Sequence, residues 1–160
     1  ARAVVQRRGG APALLDMSSR TEAAATCLAG LTSAELADPA TRVVLDVQGR
    51  LLVAGPRGAC VQDPAGAAHP LELPGPALAL ALAARGEGLA AGLADGTVLR
   101  WRAPAAAPAR LSLGAAIVGL TLLPDDAGLV ARTRDSRIVA IRGEVVTPLA
   151  TIDASQGMPY

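Results

Sequence analysis

The chain has 160 residues with 15 basic and 14 acidic side chains, and a net charge of +1. So small a net charge provides no strong field for recruiting nucleic acid or an anionic membrane. The longest apolar run, residues 76–84, is far shorter than the ~20 residues that a membrane-spanning helix requires.

The composition is biased towards small residues and arginine. Lys, Asn and Phe are absent, every basic residue is Arg, and aromatic residues make up 1% of the chain. The core must therefore be built from Leu, Val and Ala. Because the abundant residues have GC-rich codons, we predict a GC-rich genome, such as that of an actinobacterium, a myxobacterium or a green alga. The chain lacks an initiator Met, and we expect a trimmed chain or a fragment.

Residues 1–17 match a pattern found near the other end of the chain. The stretch AVVQRRGGAPALLDM and the later stretch IVAIRGEVVTPLATI both alternate a strand, a Gly-containing turn and a second strand. We predict that residues 1–17 form the end of a repeat unit. The Arg7-Arg8 pair in its turn is interpreted as a solvated hairpin tip rather than a phosphate contact.

Residues 18–42 allow two interpretations. Ser19 and Glu22 fit a capping box, which predicts a short helix over TEAAATCLAG. Alternatively, residues 25–32 form a strand similar to one later in the chain, and we favour this strand. Residues 33–41 would then be a loop, since Asp-Pro interrupts regular structure.

Residues 43–75 are predicted to form a four-stranded unit. Strands at residues 42–47 and 50–54 flank a Gln-Gly turn, and a turn at Arg57 and Gly58 leads to a third strand. A fourth strand opens at His69.

Residues 76–114 repeat this organisation. Leu and Ala alternate over residues 78–83 without a polar residue, which predicts a strand that is buried on both faces. Residues 88–102, GLAAGLADGTVLRWR, predict a hairpin with its turn at Asp95 and Gly96. Asp can bond its own backbone there, and Gly accepts a positive φ without steric cost. We expect Trp101 to be buried.

Residues 115–152 repeat the hairpin once more. The stretch GLVARTRDSRIVAIR places Asp135 and Ser136 forty residues after Asp95 and Gly96. Another strand, turn and strand follow up to residue 152. Residues 153–160 are predicted to be a tail or the start of a further unit.

A strand-based period near forty residues indicates a β-propeller or a related repeat. Residues 77–103 resemble one Trp-Asp (WD) repeat, and residues 116–142 resemble the next, with Asp125 and Asp126 at the usual polar turn. Arg102 stands where the family has Asp after the Trp. The resemblance implies an all-β fold of about three blades plus part of another. It also implies an incomplete ring, because propellers close with about four to eight blades.

The sequence contains few candidate catalytic residues. No Ser lies in a Gly-x-Ser-x-Gly elbow beside the single histidine, His69, so we expect no catalytic residue and no cofactor. Asp125 and Asp126 fit a turn better than a calcium loop, and we expect no metal ligand. Cys27 and Cys60 form no metal pattern. A disulfide between them is possible, but two buried thiols are favoured.

The resemblance to WD-repeat propellers implies a non-catalytic scaffold for protein–protein interactions. Its partners would be other subunits or the remainder of the parent chain, with Asp125, Asp126 and Arg134 in partner-facing loops. A ligand-sensing or catalytic propeller lobe with active residues elsewhere is the alternative. A helix-rich adaptor is disfavoured because Gly and Pro recur too often. We expect a cytoplasmic location, or a cilium or another large assembly if the source is a green alga.

Overall fold

The computed structural model describes residues 2–5, 13–17, 21–29, 31–56, 58–124 and 127–152. These residues form four antiparallel sheets, so the predicted all-β fold of three blade-like units plus part of another is confirmed. The chain divides between Ala77 and Leu78 into two compact units, called unit 1 and unit 2. Within the described part, no helix is both long and apolar enough to cross a lipid bilayer.

Unit 1 contains the first two sheets. The first sheet has three strands in the order β1-β2-β3, and the second has four in the order β4-β5-β6-β7. The strands are β1 (Arg2–Val5), β2 (Ala13–Asp16), β3 (Thr21–Ala24), β4 (Arg42–Leu45), β5 (Leu51–Gly55), β6 (Gly58–Gln62) and β7 (Ala68–Leu71). Its core packs Leu14, Ala25 and Leu28 against Leu51 and Val53 of β5.

The strand predicted for residues 25–32 is wrong. Residues Thr26–Leu28 form a 3-10 helix, and the predicted loop begins with a short helix, α1 (Ser33–Ala37). Thr32 and Glu35 close a capping box at the start of this helix. Leu28 is fully buried, and the turn of the chain at this point is what places it in the core. The alternative cap at Ser19 lies outside the described residues.

Unit 2 contains the third and fourth sheets, each with four strands in chain order. The strands are β8 (Ala77–Leu82), β9 (Leu89–Leu93), β10 (Thr97–Trp101), β11 (Ala109–Ser112), β12 (Ile117–Leu122), β13 (Leu129–Thr133), β14 (Arg137–Arg142) and β15 (Val145–Thr151). The two sheets share one apolar core, and strand β12 packs against β9. Trp101 is buried with 3% of its surface exposed, as the sequence predicts.

Strand β8 departs from its predicted burial. Ala77, Ala79 and Ala81 are buried, and Ala79 and Ala81 pack in the shared core, whereas Leu78, Leu80 and Leu82 are only partly buried. The reason is that the shared core covers only the alanine face of the strand, and the leucines are not part of that core.

The outer strands β7 and β15 both contain proline. Pro70 pairs with Cys60 in the second sheet, and Pro148 pairs with Val139 in the fourth. Because proline has no backbone N–H, it is confined to sheet edges and interrupts the pattern that a further strand would need. Both strands are therefore suited to end their sheets.

Candidate partner-binding surface

The predicted turn at Asp95 and Gly96 joins β9 to β10. The Gly96 amide donates to the Leu93 carbonyl at 3.2 Å, and a carboxylate oxygen of Asp95 accepts from the Thr97 amide at 2.8 Å. Gly96 has a φ of 89°, and a Cβ there would lie 2.7 Å from the backbone nitrogen of Ala115. Glycine is therefore required both by the backbone conformation and by the close approach of the chain.

The matching turn at Asp135 and Ser136 joins β13 to β14 with different chemistry. Ser136 has a φ of 69°, and it is the one non-glycine residue with positive φ in the described part of the chain. The Asp135 carboxylate accepts from the Thr133 hydroxyl, and also from Arg137 Nε at 2.9 Å. These side-chain bonds hold a turn that lacks the glycine of its counterpart.

Both turns bind the connection between β11 and β12, residues 113–116. The Leu113 amide donates to the Gly96 carbonyl at 2.9 Å, and the Arg134 amide donates to the Ala116 carbonyl at 2.7 Å. Arg137 Nη2 adds a bond to the Leu113 carbonyl at 2.9 Å. We call residues 94–96, 113–116 and 134–137 the turn end of unit 2. Its backbone is fixed by hydrogen bonds, and the side chain of Arg134 is exposed.

The two turn aspartates have lowered pKa values. The Thr97 backbone amide is the main cause for Asp95, with a smaller contribution from the charge of Arg110. The Thr133 hydroxyl is the main cause for Asp135. Hydrogen bonds to a carboxylate favour its ionised form, so both groups carry a negative charge at neutral pH.

The other predicted turns are only partly described. Gly58 has a φ of 124° and begins β6, opposite Gly55 of β5. Arg57, Asp125 and Asp126 lie outside the described residues, so the partner-facing loop at Asp125 and Asp126 stays a prediction.

Cys27 and Cys60 form a disulfide, so the favoured interpretation of two buried thiols is wrong. The 3-10 helix brings Cys27 beside β6, with the two Cα atoms 5.6 Å apart. Gln62, which is 1% exposed, strengthens the same junction. Its amide nitrogen donates to the Ala24 carbonyl at 2.8 Å, and its amide oxygen accepts from the Cys27 amide at 3.2 Å. The sequence analysis missed this role because it placed residues 25–32 in a strand.

A cleft between the third and fourth sheets runs along β10 from Val98 to Arg102. Its volume is about 370 Å³. Its larger apolar side chains are Val98, Leu111, Leu129 and Ile141, and three alanines line it as well. Its charged side chains are Arg100, Arg102, Arg110 and Glu144. We call this the arginine cleft. The sequence analysis missed it, although the closely spaced arginines after residue 99 were a visible signal.

Strand β15 is exposed at every residue. The exposed fractions are 66% for Val145, 38% for Val146 and 55% for Leu149, and Ile152, which follows the strand, is 46% exposed. Val145 and Val146 are neighbours on a strand, so they face opposite sides of the sheet and the exposed apolar residues lie on both faces of this edge strand. Exposed apolar residues grouped at one sheet edge are candidates for contact with a partner.

Comparisons with known proteins identify the fold. The β-propeller domain of Myceliophthora thermophila Cps50 (Swd1) matches 72% of this chain and 40% of its own, with a TM-score of 0.60 and 18% identity. The sheets are propeller blades. BBS1N, solved in complex with ARL6DN, matches 89% of this chain and 44% of its own, with a TM-score of 0.60 and 18% identity.

An enzyme has a similar fold. Streptogramin B lyase matches 92% of this chain and 50% of its own, with a TM-score of 0.60 and 14% identity. The chain thus spans half or less of the length of each of these three proteins. No protein-family model and no curated protein matches the sequence. At these identities the similarity shows the propeller fold and does not extend to activity.

Proposed function

We propose that this chain is a non-catalytic, WD-repeat-like propeller segment that acts as a scaffold for protein–protein interactions. It would work within a larger chain or a multi-subunit assembly whose other parts complete the ring. The observation that carries the proposal is the exposed apolar strand β15 at the edge of the fourth sheet.

The structure of the fourth sheet supports docking on β15 through side chains. The strand is paired with β14 from Arg142 opposite Val145 to Arg137 opposite Thr151, with one irregularity in register that leaves Leu149 without a partner residue on β14. A partner therefore meets an ordered surface, which lowers the entropy cost of binding. Pro148 lies in the middle of the strand and cannot donate to an added strand, so side-chain contact is favoured over sheet extension.

The turn end of unit 2 offers a second partner-facing region. Its backbone is held by the bonds from Leu113 and Arg134, while the Arg134 side chain is exposed. Interaction sites commonly consist of loops that a rigid scaffold positions. Asp125 and Asp126 belong to the same proposal.

The comparisons offer support at the level of fold. One propeller of this shape, BBS1N, was solved in complex with a protein partner, ARL6DN. The alternative is a ligand-sensing or catalytic lobe with active residues outside these 160 residues. The similarity to streptogramin B lyase supports this alternative as much as the similarity to BBS1N supports the scaffold. The arrangement of exposed apolar residues on β15 favours the scaffold.

The cellular location stays a prediction. We predicted the cytoplasm, or a cilium in an alga, whereas disulfides such as Cys27–Cys60 are more typical of oxidising compartments. Intact-mass measurement of protein alkylated directly in its own cells tests this point. Two alkylated cysteines agree with the cytoplasm, and an unmodified mass contradicts it.

The scaffold proposal is tested by affinity capture with a matched surface control. Wild-type protein, the double variant Val145→Asp/Leu149→Asp and the control Val47→Asp are used as baits in extracts of the source organism. Val47 is 96% exposed and lies outside unit 2. Circular dichroism and melting curves first establish that all three baits are folded.

We expect a protein that is retained by wild type and Val47→Asp and lost with the β15 variant. The protein identified is then purified and titrated against the three baits. Equal retention by all three, or a captured small molecule that is turned over, contradicts the scaffold and favours the alternative.

A further inference from the structure

We infer that the arginine cleft binds an acidic peptide segment through its carboxylates and one aliphatic side chain. The inference rests on the proposed scaffold function and specifies one kind of partner. It is argued from the lining of the cleft, its size and its charge.

The lining of the cleft combines an apolar floor with a basic rim. Val98 and Leu111 come from the third sheet, and Leu129 and Ile141 come from the fourth. Val98, Leu129 and Ile141 are buried members of the unit 2 core, so the floor is part of the rigid packing. An aliphatic side chain of a ligand would bury its surface here at about 25 cal/mol per Å².

The positive charge of the rim favours a ligand that carries carboxylates beside its aliphatic side chain. Three arginines line the cleft, and Glu144 is the one carboxylate among the lining residues that the structure describes. Arg102 and Arg110 are exposed at the rim. Guanidinium groups bind carboxylates through paired N–H donors, which fixes the orientation of the carboxylate as well as attracting it. Arg110 also acts on Asp95 from a distance, so we assign the larger role to Arg102.

The size of the cleft favours a peptide over a nucleic acid. A volume of about 370 Å³ accommodates a few side chains. The described lining contains no aromatic side chain on which a base could stack. The apolar side chains of the floor have no hydrogen-bond donor for a phosphate. An acidic peptide with one aliphatic residue uses both parts of the lining.

The position of the cleft also fits a protein ligand. Gly143 and Glu144 line it and form the turn that leads directly into β15. A peptide that leaves the cleft at this turn passes beside the exposed Val145 or Val146, which face opposite sides of the sheet. The cleft and the apolar strand are therefore adjacent.

The test uses the whole chain and fluorescein-labelled nonapeptides in which a single Leu or Ile is flanked by Asp and Glu. Fluorescence anisotropy is measured for wild type, Arg102→Glu and Arg85→Glu. Arg85 is an exposed residue of the same unit outside the cleft lining, so its variant carries the same change of charge. Trp101 emission shows that each variant is folded.

We expect binding to wild type and Arg85→Glu, and a loss of about tenfold or more in affinity with Arg102→Glu. Affinity also falls when the aliphatic residue of the peptide becomes Asn, and when the ionic strength is raised. The inference is overturned if no peptide of the set binds at about 1 mM. It is also overturned by equal loss in both Arg variants, by indifference to the Asn substitution, or by equal binding of a polyuridine oligonucleotide.

The two proposals fail separately. If no peptide binds but the β15 variant still loses its captured partner, only the inference about the cleft is wrong. If the peptide binds but the β15 variant still captures the partner, the proposed role of β15 is wrong instead.

Discussion

Each unit packs its two sheets around an apolar core, but the two units differ in the contacts that reinforce this core. In unit 1 the second sheet is linked to the chain that follows the first sheet by the Cys27–Cys60 disulfide and by the two hydrogen bonds of Gln62. In unit 2 the third and fourth sheets meet through small apolar residues. Gly92 of β9 lies so close to Ile117 of β12 that a Cβ would be 2.4 Å from its Cγ2.

The difference teaches how this alanine-rich chain builds a core without Phe. Where alanines and a glycine line the facing surfaces, as in unit 2, two sheets approach closely and bury aliphatic side chains. Where the first sheet ends in Thr21–Ala24 and a 3-10 helix follows, polar and covalent links add to the apolar core. We therefore expect loss of the disulfide to lower the stability of unit 1, and changes of side-chain volume to lower the stability of unit 2.

Removing the disulfide has the largest expected effect. The bond joins residues separated by 33 positions, and chain-entropy arguments assign about 3–4 kcal/mol to a loop of this length. We expect the double variant Cys27→Ser/Cys60→Ser to increase hydrogen exchange in peptides of unit 1. Trp101 reports on unit 2 in the same protein, and an equal loss of stability in both units would break the comparison.

Gly92→Ala is expected to destabilise unit 2 by about 2–3 kcal/mol through overpacking against Ile117. Its control is Arg132→Ala at the position forty residues further, which is exposed on β13 and should change stability by less than about 0.5 kcal/mol. Denaturant titration followed by Trp101 fluorescence measures both variants. Similar effects at the two positions would show that β12 does not press on Gly92.

Gly96→Ala is expected to cost about 2 kcal/mol, because backbone strain and the contact with Ala115 both oppose the new Cβ. Gly86→Ala separates these two causes. Gly86 has a φ of 75° but nothing within 4 Å of its Cβ position, so only strain of about 1 kcal/mol is expected. Equal melting temperatures for the two variants would show that the contact with Ala115 adds nothing to the cost of Gly96→Ala.

The smallest expected effect concerns pH and Asp95. Its pKa is lowered in the folded state, mainly by the Thr97 amide, so its stabilising contribution is present above the unfolded pKa. That contribution is lost as the pH falls through the folded pKa. Asp95→Ala should therefore lower the melting temperature at about pH 7 and make less difference at about pH 3. If the difference in melting temperature between wild type and Asp95→Ala is the same at both pH values, the hydrogen bond from the Thr97 amide does not stabilise the ionised carboxylate.

Local features of the fold were predictable because local chemistry decides them. The Asp95-Gly96 turn follows from an Asp that bonds its own backbone and a Gly that accepts a positive φ. The burial of Trp101 follows from its size and its place on a strand. Helix α1 was also predictable in principle, since Thr32 and Glu35 form the usual Thr-x-x-Glu cap.

From residue 42 onward the amino-acid sequence by itself determined the strands, the turns and the period of about forty residues, since each depends on neighbours along the chain. It did not determine residues 21–32, where a strand and a 3-10 helix stand in place of the predicted strand. Only the tertiary structure decided the disulfide, the role of Gln62 and the arginine cleft. Each depends on residues far apart in the chain, such as Cys27 and Cys60 in the disulfide and Arg102 and Glu144 in the lining of the cleft. These residues come together only when the 3-10 helix turns the chain in unit 1 and when two sheets pack in unit 2.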